Sequence, residues 1–300
     1  MKTKLFLIAF FIALQVNATQ LHIWKYATGA ADGTSKLNGY TDLDGIQTAW
    51  DATTIVAGDT VNLYNGVYVE SYPGKNFTFN YLLVRGVEDS AIIAPDYVGS
   101  SSYIFKGASS CQYNTFEHIK FNLSAGLLLV SDGNAFKSCV FSVGGTLGGS
   151  EEDYNKFYNC LFYFKGRGKL FLHTTRCKSP EFYDCTLIDN YVSTNGHDWM
   201  YATGVVMDNV LIIGLVTDPE DDLFTTTSTV TSATNVQWWG VDSEGMFTSA
   251  TCDSVLNTYT VGSNITRLYD YHITSEAARG AGPQGRDIGC QMDWSIYGGR

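Results

Sequence analysis

Four eight-residue stretches decide the fold of this chain: Asn114-Thr-Phe116-Glu-His-Ile119-Lys-Phe121, Asn134-Ala-Phe136-Lys-Ser-Cys139-Val-Phe141, Asn155-Lys-Phe157-Tyr-Asn-Cys160-Leu-Phe162 and Pro180-Glu-Phe182-Tyr-Asp-Cys185-Thr-Leu187. In a weaker copy Met207 stands at the position of Phe182, and successive copies are 20, 21, 25 and 25 residues apart. With the first phenylalanine as position 1, apolar residues recur at positions 1, 4 and 6, and the last two have the period of a half-buried strand. Repeats of this length are typical of stacked architectures. The sequence therefore predicts an all-β solenoid, a right-handed parallel β-helix with two short strands and a bend in each repeat.

Stacked coils lie about 4.8 Å apart, so equivalent residues of successive copies form ladders along the solenoid. The pattern predicts an internal aromatic stack, a column of buried thiols, and a column of asparagines at one bend. Asparagine suits such a bend because it tolerates left-handed backbone and hydrogen-bonds along the stack. The members are, in that order, Phe121, Phe141 and Phe162; Cys139, Cys160 and Cys185; and Asn114, Asn134 and Asn155.

The residue between positions 4 and 6 points outward and is mostly apolar. The series reads Lys120, Val140, Leu161, Thr186 and Leu211. A contiguous apolar surface of this kind marks a contact, so we expect the long loops of the chain or a second subunit to cover this stripe. A homo-oligomer formed through the stripe is one of these two alternatives.

The two ends of the chain fit a solenoid that needs caps. Ile46, Ala49 and Trp50 have helical spacing after Asp44-Gly45, which predicts a short helix over the open end of the first coil that also hides its strand edges. The stretch from Ile46 to Glu70, with Gly58-Asp-Thr-Val and Gly66-Val-Tyr, resembles the opening coil of the pectin lyase-like β-helix proteins. The segment from Ser275 to Gly289 is similar to the closing segment of many secreted bacterial members.

The resemblance spans nearly all of the chain after residue 18 and implies the fold rather than an activity, because this fold serves lyases, hydrolases, esterases, adhesins and tailspikes. Motifs of the polygalacturonase-like, pectin methylesterase-like and best-known pectate lyase members are absent. Gly196-His197-Asp198 and Asp221-Asp222 are fragments without the required neighbours. A polysaccharide lyase needs only a clamp for a uronate carboxylate and a base beside it. An enzyme on this chain is therefore predicted to be a lyase rather than a glycoside hydrolase or an esterase.

Residues 1–18 are typical of a secretory signal peptide, with Lys2 and Lys4 before an apolar run and Val16 and Ala18 at the cleavage site. Residues 19–300 then form one predicted domain, secreted or periplasmic, with no later run of the roughly 18 apolar residues that a membrane span needs. The net charge is −11, and it becomes −13 without the two leader lysines. This charge argues against nucleic acid as a partner.

The seven cysteines are an odd number, so at least one thiol is expected to be free or to bridge to another chain. Cys252 and Cys290 are a candidate pair.

One segment between two copies is rich in basic side chains, which suit an anionic sugar. The candidate substrate-binding residues are Lys165, Arg167, Lys169, His173, Arg176 and Lys178. Among them Lys165, Arg176 and Lys178 are candidate catalytic bases or carboxylate clamps, and the alternative interpretation is a solvated loop.

An acidic cluster provides the oxygen ligands that Ca²⁺ prefers, in a spacing that fits no known calcium loop. Its members are Asp218, Glu220, Asp221 and Asp222. Clustered acids are more often solvated, which is the alternative interpretation. Trp199, Trp238, Trp239 and Trp294 are candidate sugar-stacking residues, with burial against the coil wall as the alternative.

Three functions stay open from the sequence. The first is a secreted β-helix that engages an extracellular polysaccharide by binding or processing it. The second is a lyase that acts by β-elimination on a uronate polymer, with or without Ca²⁺. The third is a non-catalytic structural or adhesive protein of a cell surface or virion.

Overall fold

The computed structural model describes residues 18–70, 77–88, 91–95, 111–123, 132–144, 154–164, 178–189, 200, 202–214, 228–239 and 255–256. Within these ranges two parallel sheets of nine strands run along the molecule. The first sheet contains, in spatial order, β1 (Gln20–Ile23), β2 (Thr60–Leu63), β4 (Leu83–Gly86), β6 (Thr115–Glu117), β8 (Ala135–Lys137), β10 (Lys156–Tyr158), β12 (Glu181–Tyr183), β14 (Val205–Asp208) and β16 (Val230–Thr234). The second contains β3 (Gly66–Glu70), β5 (Ala91–Pro95), β7 (Lys120–Leu123), β9 (Val140–Val143), β11 (Leu161–Phe164), β13 (Thr186–Asp189), β15 (Leu211–Gly214), β17 (Val236–Trp239) and β18 (Val255–Leu256).

Each repeat supplies one strand to each sheet, which confirms the predicted parallel β-helix. A single residue with left-handed backbone forms the bend between the two strands of a repeat. The φ angles of these residues lie between 50° and 58°, at His118, Ser138, Asn159, Asp184, Asn209 and Asn235. The residue after each bend is buried, which closes the corner between the sheets.

The predicted phenylalanine stack is confirmed. The ring centroids of Phe121 and Phe141 are 5.0 Å apart, and those of Phe141 and Phe162 are 4.7 Å apart. A second stack stands opposite on the first sheet, formed by Phe116, Phe136, Phe157 and Phe182 at centroid distances of 5.1 to 5.2 Å. The two stacks meet edge to face, so aromatic contacts fill the space between the sheets.

The predicted thiol column is also confirmed. Cys139, Cys160 and Cys185 are buried and free, and each sulfur lies 3.4 to 3.5 Å from a backbone carbonyl oxygen of the coil before it. Burial is the main reason why the pKa of the Cys160 thiol is raised well above its ordinary value. Cys111 is likewise buried and free, whereas Cys252 and Cys290 lie outside the described residues.

The asparagine column hydrogen-bonds along the stack as predicted. The Oδ1 atom of Asn134 accepts the backbone N–H of Asn114 at 2.8 Å, and the Oδ1 atom of Asn155 accepts that of Asn134 at 2.8 Å. The predicted left-handed backbone belongs to the residue before each asparagine instead. Buried asparagine side chains satisfy backbone groups that the turn leaves unpaired, and this is the role of the column.

The predicted helix is α1 (Asp44–Asp51), which buries Ile46 and Ala49 against the end of the core. The prediction that this helix hides the edge of the first strand is wrong. Backbone hydrogen bonds join His22 to Gly33, and both His22 and Trp24 to Tyr40, so the segment after β1 folds back along its edge. An edge strand needs such pairing because its backbone groups are otherwise open.

The predicted apolar stripe lies on the outer face of the second sheet, and it is not an exposed surface. Val140, Leu161, Thr186 and Leu211 are all less than 8% exposed in the single chain. These side chains are therefore already buried within one chain, and a homo-oligomer formed through the stripe stays a prediction.

Most of the predicted leader lies outside the described residues, since they begin at residue 18. In the part of the chain that is described, no helix has both the length and the apolar character that crossing a bilayer requires.

Candidate functional site

The basic segment predicted to bind substrate is described at Lys178 alone; Lys165, Arg167, Lys169, His173 and Arg176 lie outside the described residues. Lys178 is exposed, and its carbonyl oxygen accepts the backbone N–H of Tyr154 at 2.8 Å. Thr203 pairs with it on the other side. Lys178 thus lies just before β12, between Tyr154 of one neighbouring coil and Thr203 of the other.

The acidic cluster of Asp218, Glu220, Asp221 and Asp222 lies outside the described residues, as do Trp199 and Trp294. Trp238 and Trp239 belong to β17, where only the backbone is described. Among the described residues, no three His, Cys, Asp or Glu side chains gather in a way that would hold a metal ion.

The described residues carry a different site, on the outer face of the first sheet. Alternate residues of each strand point outward, so the face consists of parallel columns that follow the solenoid axis. One column contains Leu83, Thr115, Ala135, Lys156 and Glu181. The next contains Arg85, Glu117, Lys137, Tyr158 and Tyr183, two residues further along each strand.

A third column borders this face at the residue where each coil turns into the first sheet. Tyr81, Tyr113 and Tyr154 occupy it, and they are 56%, 49% and 54% exposed. All three have left-handed backbone, with φ between 58° and 61°. A residue with a Cβ loses roughly 1–2 kcal/mol in that conformation. Half-exposed rings recover only part of this cost through burial.

Tyr81 and Tyr113 form an exposed stacked pair, with ring centroids 5.1 Å apart and ring planes 14° apart. The next coil has Gly133 at the same place, and the Tyr113 ring occupies the space above it. A Cβ added at Gly133 would lie 2.6 Å from two ring carbons of Tyr113. On the other side of the pair, a Cβ at Gly58 would meet nothing within 4 Å. Gly133 therefore leaves room for the Tyr113 ring at one end of the stacked pair, and at the other end the space beside Gly58 is open.

A cavity of about 260 Å³ adjoins this pair. Strand alternation gives it two walls, the tyrosines on one side and the Glu117 column on the other, with the Leu83 column as the floor between them. We call it the aromatic groove, lined by Gly58, Tyr81, Leu82, Leu83, Tyr113, Thr115, Glu117 and Lys137.

The polar wall of the aromatic groove is an ion pair between adjacent coils. The Nζ atom of Lys137 lies 3.2 Å from the Oε1 atom of Glu117, and the two side chains are 49% and 24% exposed. Thr115 adds a hydroxyl on the floor. The groove thus combines aromatic faces on one side with a donor, an acceptor and a hydroxyl on the other.

A second ion pair follows the groove along the same face. In the floor column, Lys156 and Glu181 follow the uncharged residues, and the Nζ atom of Lys156 lies 3.0 Å from the Oε2 atom of Glu181. The Tyr183 hydroxyl donates to the same Oε2 atom at 2.8 Å. The hydrogen bond with Glu181 raises the pKa of Lys156. Burial, and then the hydrogen bond with Glu181, raises the pKa of Tyr183 to about 12. This end of the face is therefore filled by side chains that bind one another.

Sequence reasoning missed the tyrosine column and the ion pair, although both have a signal in the repeat. A tyrosine directly precedes the repeat at Asn114 and Asn155, and Tyr81 precedes the equivalent Leu82. Glu117 and Lys137 have opposite charges at the same repeat position, which stacking makes neighbours.

Comparison with known proteins finds a likeness in fold. No family model matches the chain, and no curated protein matches it. Pectin methylesterase PemA from Erwinia chrysanthemi is 13% identical with a TM-score of 0.44, over 75% of this chain and 79% of that one. The pectin methylesterase of Aspergillus niger, in a penultimately deglycosylated form, is 14% identical with a TM-score of 0.35, over 95% and 98%. Similarity at this level carries nothing about substrate, and the architecture itself bears out the resemblance to the pectin lyase-like fold.

Proposed function

We propose that this protein binds an extracellular polysaccharide along the aromatic groove. The observation that carries the proposal is the Tyr81–Tyr113 pair, exposed, stacked and held in left-handed backbone. The bend requires left-handed backbone in each coil, and Gly133 adopts it at the same position without the cost that a Cβ brings. A tyrosine there is therefore not required by the fold, and residues held in such a conformation at a cost are associated with function. The extracellular setting follows from the leader predicted for residues 1–18.

The chemistry of the groove suits a sugar chain. A pyranose ring has a face of C–H groups, which packs against the negative face of an aromatic ring, and a rim of hydroxyls. The hydroxyls both donate and accept, so they match the Lys137 ammonium, the Glu117 carboxylate and the Thr115 hydroxyl.

The direction of the groove suits a polymer. The columns follow the solenoid axis, and the coil spacing of about 4.8 Å is close to the length of one sugar residue in an extended chain. The uncharged floor contains Leu83, Thr115 and Ala135 and ends at Lys156. We therefore expect affinity to rise with oligosaccharide length up to about three or four residues and then to level off.

The test is affinity electrophoresis of the purified protein through gels that contain soluble polysaccharides, with calorimetry for each polymer that retards it. Tyr81→Ala and Tyr113→Ala are expected to weaken binding at least about tenfold, as removal of a central aromatic anchor does. Tyr26→Ala is the matched control, because Tyr26 is 60% exposed and lies outside the groove. Equal losses in all three variants, or no retardation by any polymer, would refute the proposal and favour the structural or adhesive alternative.

Elimination on a uronate polymer stays a separate prediction, supported by the exposure of Lys178 next to Tyr154 of the neighbouring coil. A lyase forms an unsaturated product that absorbs ultraviolet light. Pectate, alginate and glycosaminoglycans, each with Ca²⁺ and with chelator, are the test substrates. Activity lost in Lys165→Ala, Arg176→Ala or Lys178→Ala would establish it, and no absorbance change on any polymer would remove it.

A further inference from the structure

We infer that the polymer bound in the aromatic groove is an uncharged polysaccharide rather than a polyuronate. The inference rests on the proposed function and adds the chemical class of the ligand. It is based on the hydrogen bonds and ion pairs that the cationic side chains of this face already form within the protein.

The cationic side chains that the described strands of the first sheet present on its outer face each have a partner within the protein; Lys178 lies outside these strands. The Nε atom of Arg85 donates to the Oδ1 atom of Asn62 at 2.8 Å. Lys137 pairs with Glu117, and Lys156 pairs with Glu181. His22 heads the same column, and burial lowers its pKa, which favours the neutral imidazole at pH 7.

A uronate would have to take Lys137 from Glu117. A surface ion pair is worth roughly 0–1 kcal/mol, so separating the pair is not in itself costly. The exchange would leave the Glu117 carboxylate beside the carboxylate of the ligand, however, and two like charges in one site oppose ionisation of both. Neutral hydroxyls bind both members of the pair without this repulsion.

The net charge of the chain also disfavours a polyuronate. The 30 acidic residues exceed the 19 basic residues, for a net charge of −11. A polyanion would approach this surface against a repulsive field, whereas a neutral polymer does not sense it.

The experiment compares two probes that share one backbone, hydroxyethyl cellulose and carboxymethyl cellulose, beside glucomannan, galactan, polygalacturonate and alginate. A neutral polymer is expected to bind at least about tenfold more tightly than any acidic one, and its affinity should change less than about twofold between low and high salt. Glu117→Gln is the diagnostic variant, because it removes the carboxylate and leaves Lys137 in place. It should increase affinity for the acidic polymers about tenfold, whereas affinity for the neutral polymers should fall, because the amide is a weaker acceptor for their hydroxyls than the carboxylate.

The outcomes separate this inference from the proposed function. If a polyuronate binds most tightly and Tyr113→Ala abolishes that binding, the groove is a polysaccharide site and the uncharged class is wrong. If Glu117→Gln leaves acidic binding unchanged, repulsion by the Glu117 carboxylate is not what disfavours a polyuronate, and the inference loses its basis. If binding to every polymer is insensitive to Tyr81→Ala and Tyr113→Ala, the proposed function itself fails. Circular dichroism of each variant confirms folding, which surface substitutions of this kind preserve.

Discussion

Two aromatic stacks on neighbouring coils of this molecule have nearly the same geometry. Phe116 and Phe136 stack inside the solenoid with centroids 5.2 Å apart and planes 13° apart. Tyr81 and Tyr113 stack outside it at 5.1 Å and 14°. The phenylalanines are fully buried in strands, whereas the tyrosines are half-exposed in left-handed backbone.

The difference separates residues whose burial stabilises the fold from residues whose contribution to stability is small. The inner rings remove large apolar areas from water, which is the main favourable contribution to folding. The outer rings remove little area and occupy a backbone conformation that glycine or asparagine adopts at lower cost. The two stacks therefore contribute unequally to stability although their geometry is nearly the same. Mutations in each stack should measure this difference.

Truncating the inner stack should have the largest effect. Phe136 contacts Phe116 and Phe157 face to face and Phe121 and Phe141 edge to face. Phe136→Ala should lower the free energy of unfolding by about 3–5 kcal/mol, because it removes a buried ring and leaves a cavity. Urea denaturation measures this loss, and Phe136→Leu should cost clearly less. A loss below about 1 kcal/mol would contradict the central place of this stack.

Breaking the asparagine ladder should have the next largest effect. In Asn134→Ala the buried N–H of Asn114 loses its acceptor, and the carbonyl oxygen of Cys111 loses the Nδ2 donor at 3.1 Å. Buried groups left unpaired in this way cost about 1–3 kcal/mol each, so we expect a loss of about 2–4 kcal/mol by urea denaturation.

The control for this ladder is Asn134→Asp. It keeps an acceptor for Asn114, and Asp59 already fills the equivalent place in an earlier coil, where it accepts the N–H of Thr19 at 2.6 Å. At a pH low enough to protonate the buried carboxyl, which then accepts from Asn114 and donates to Cys111, the aspartate variant should lose less than the alanine variant. Equal losses would mean that the hydrogen bonds along this column do not matter to stability.

The fold was predictable because the buried residues that determine it recur at regular intervals in the sequence. Phe121, Phe141 and Phe162 recur at fixed offsets, and a parallel stack of coils is the arrangement that brings such residues together. The αL position could not be assigned to Tyr113 rather than Asn114, because sequence propensity favours asparagine there. The pairing of Tyr40 with the edge of β1 has no periodic signal, because it depends on how one non-repeating segment folds back.

The candidate site was harder to predict because the residues that form it are far apart along the chain. The run from Lys165 to Lys178 is conspicuous along the chain, while Glu117 and Lys137 are 20 residues apart and become neighbours only through the register of β6 and β8. Likewise Tyr81 and Tyr113 are 32 residues apart in sequence and stack across one coil. Outward residues at equivalent repeat positions therefore predict which side chains become neighbours, whereas the local charge of a segment does not.

Alkaline pH should test the burial of the thiols on the inner side. Burial raises the pKa of the Cys111 thiol to about 12, from an ordinary value of 9.0. The folded state therefore holds this proton more tightly than the unfolded state, so the contribution to stability is complete below pH 9 and is lost as the pH rises from 9 towards 12. Near pH 10.5 the loss for Cys111 alone should be about 2 kcal/mol.

The measurement is urea denaturation at about pH 8 and near pH 10.5, for the protein and for Cys111→Ala. Tyrosines also ionise in this range, so the difference between the two proteins isolates the thiol. The variant should lose less stability between the two pH values than the parent protein. A thiol reagent that modifies Cys111 in the native protein at the lower pH would contradict its burial, which leaves this side chain 1% exposed.

The smallest expected effect on stability belongs to the outer stack, and it tests whether Tyr113 serves binding rather than the fold. Tyr113→Gly and Tyr113→Ala both remove the ring, its stacking on Tyr81, and any binding that depends on it. Only glycine also relieves the left-handed backbone at φ 58°. The glycine variant should therefore be about 1 kcal/mol more stable than the alanine variant, and close to the parent protein, because stacking is worth about 0.5–1.5 kcal/mol and the relieved conformation about as much.

A glycine variant that keeps its stability and loses retardation by polysaccharide would mean that Tyr113 is retained for binding at no benefit to the fold. A glycine variant as unstable as Phe136→Ala would mean that the outer ring supports the solenoid, and the distinction between the two stacks would no longer hold.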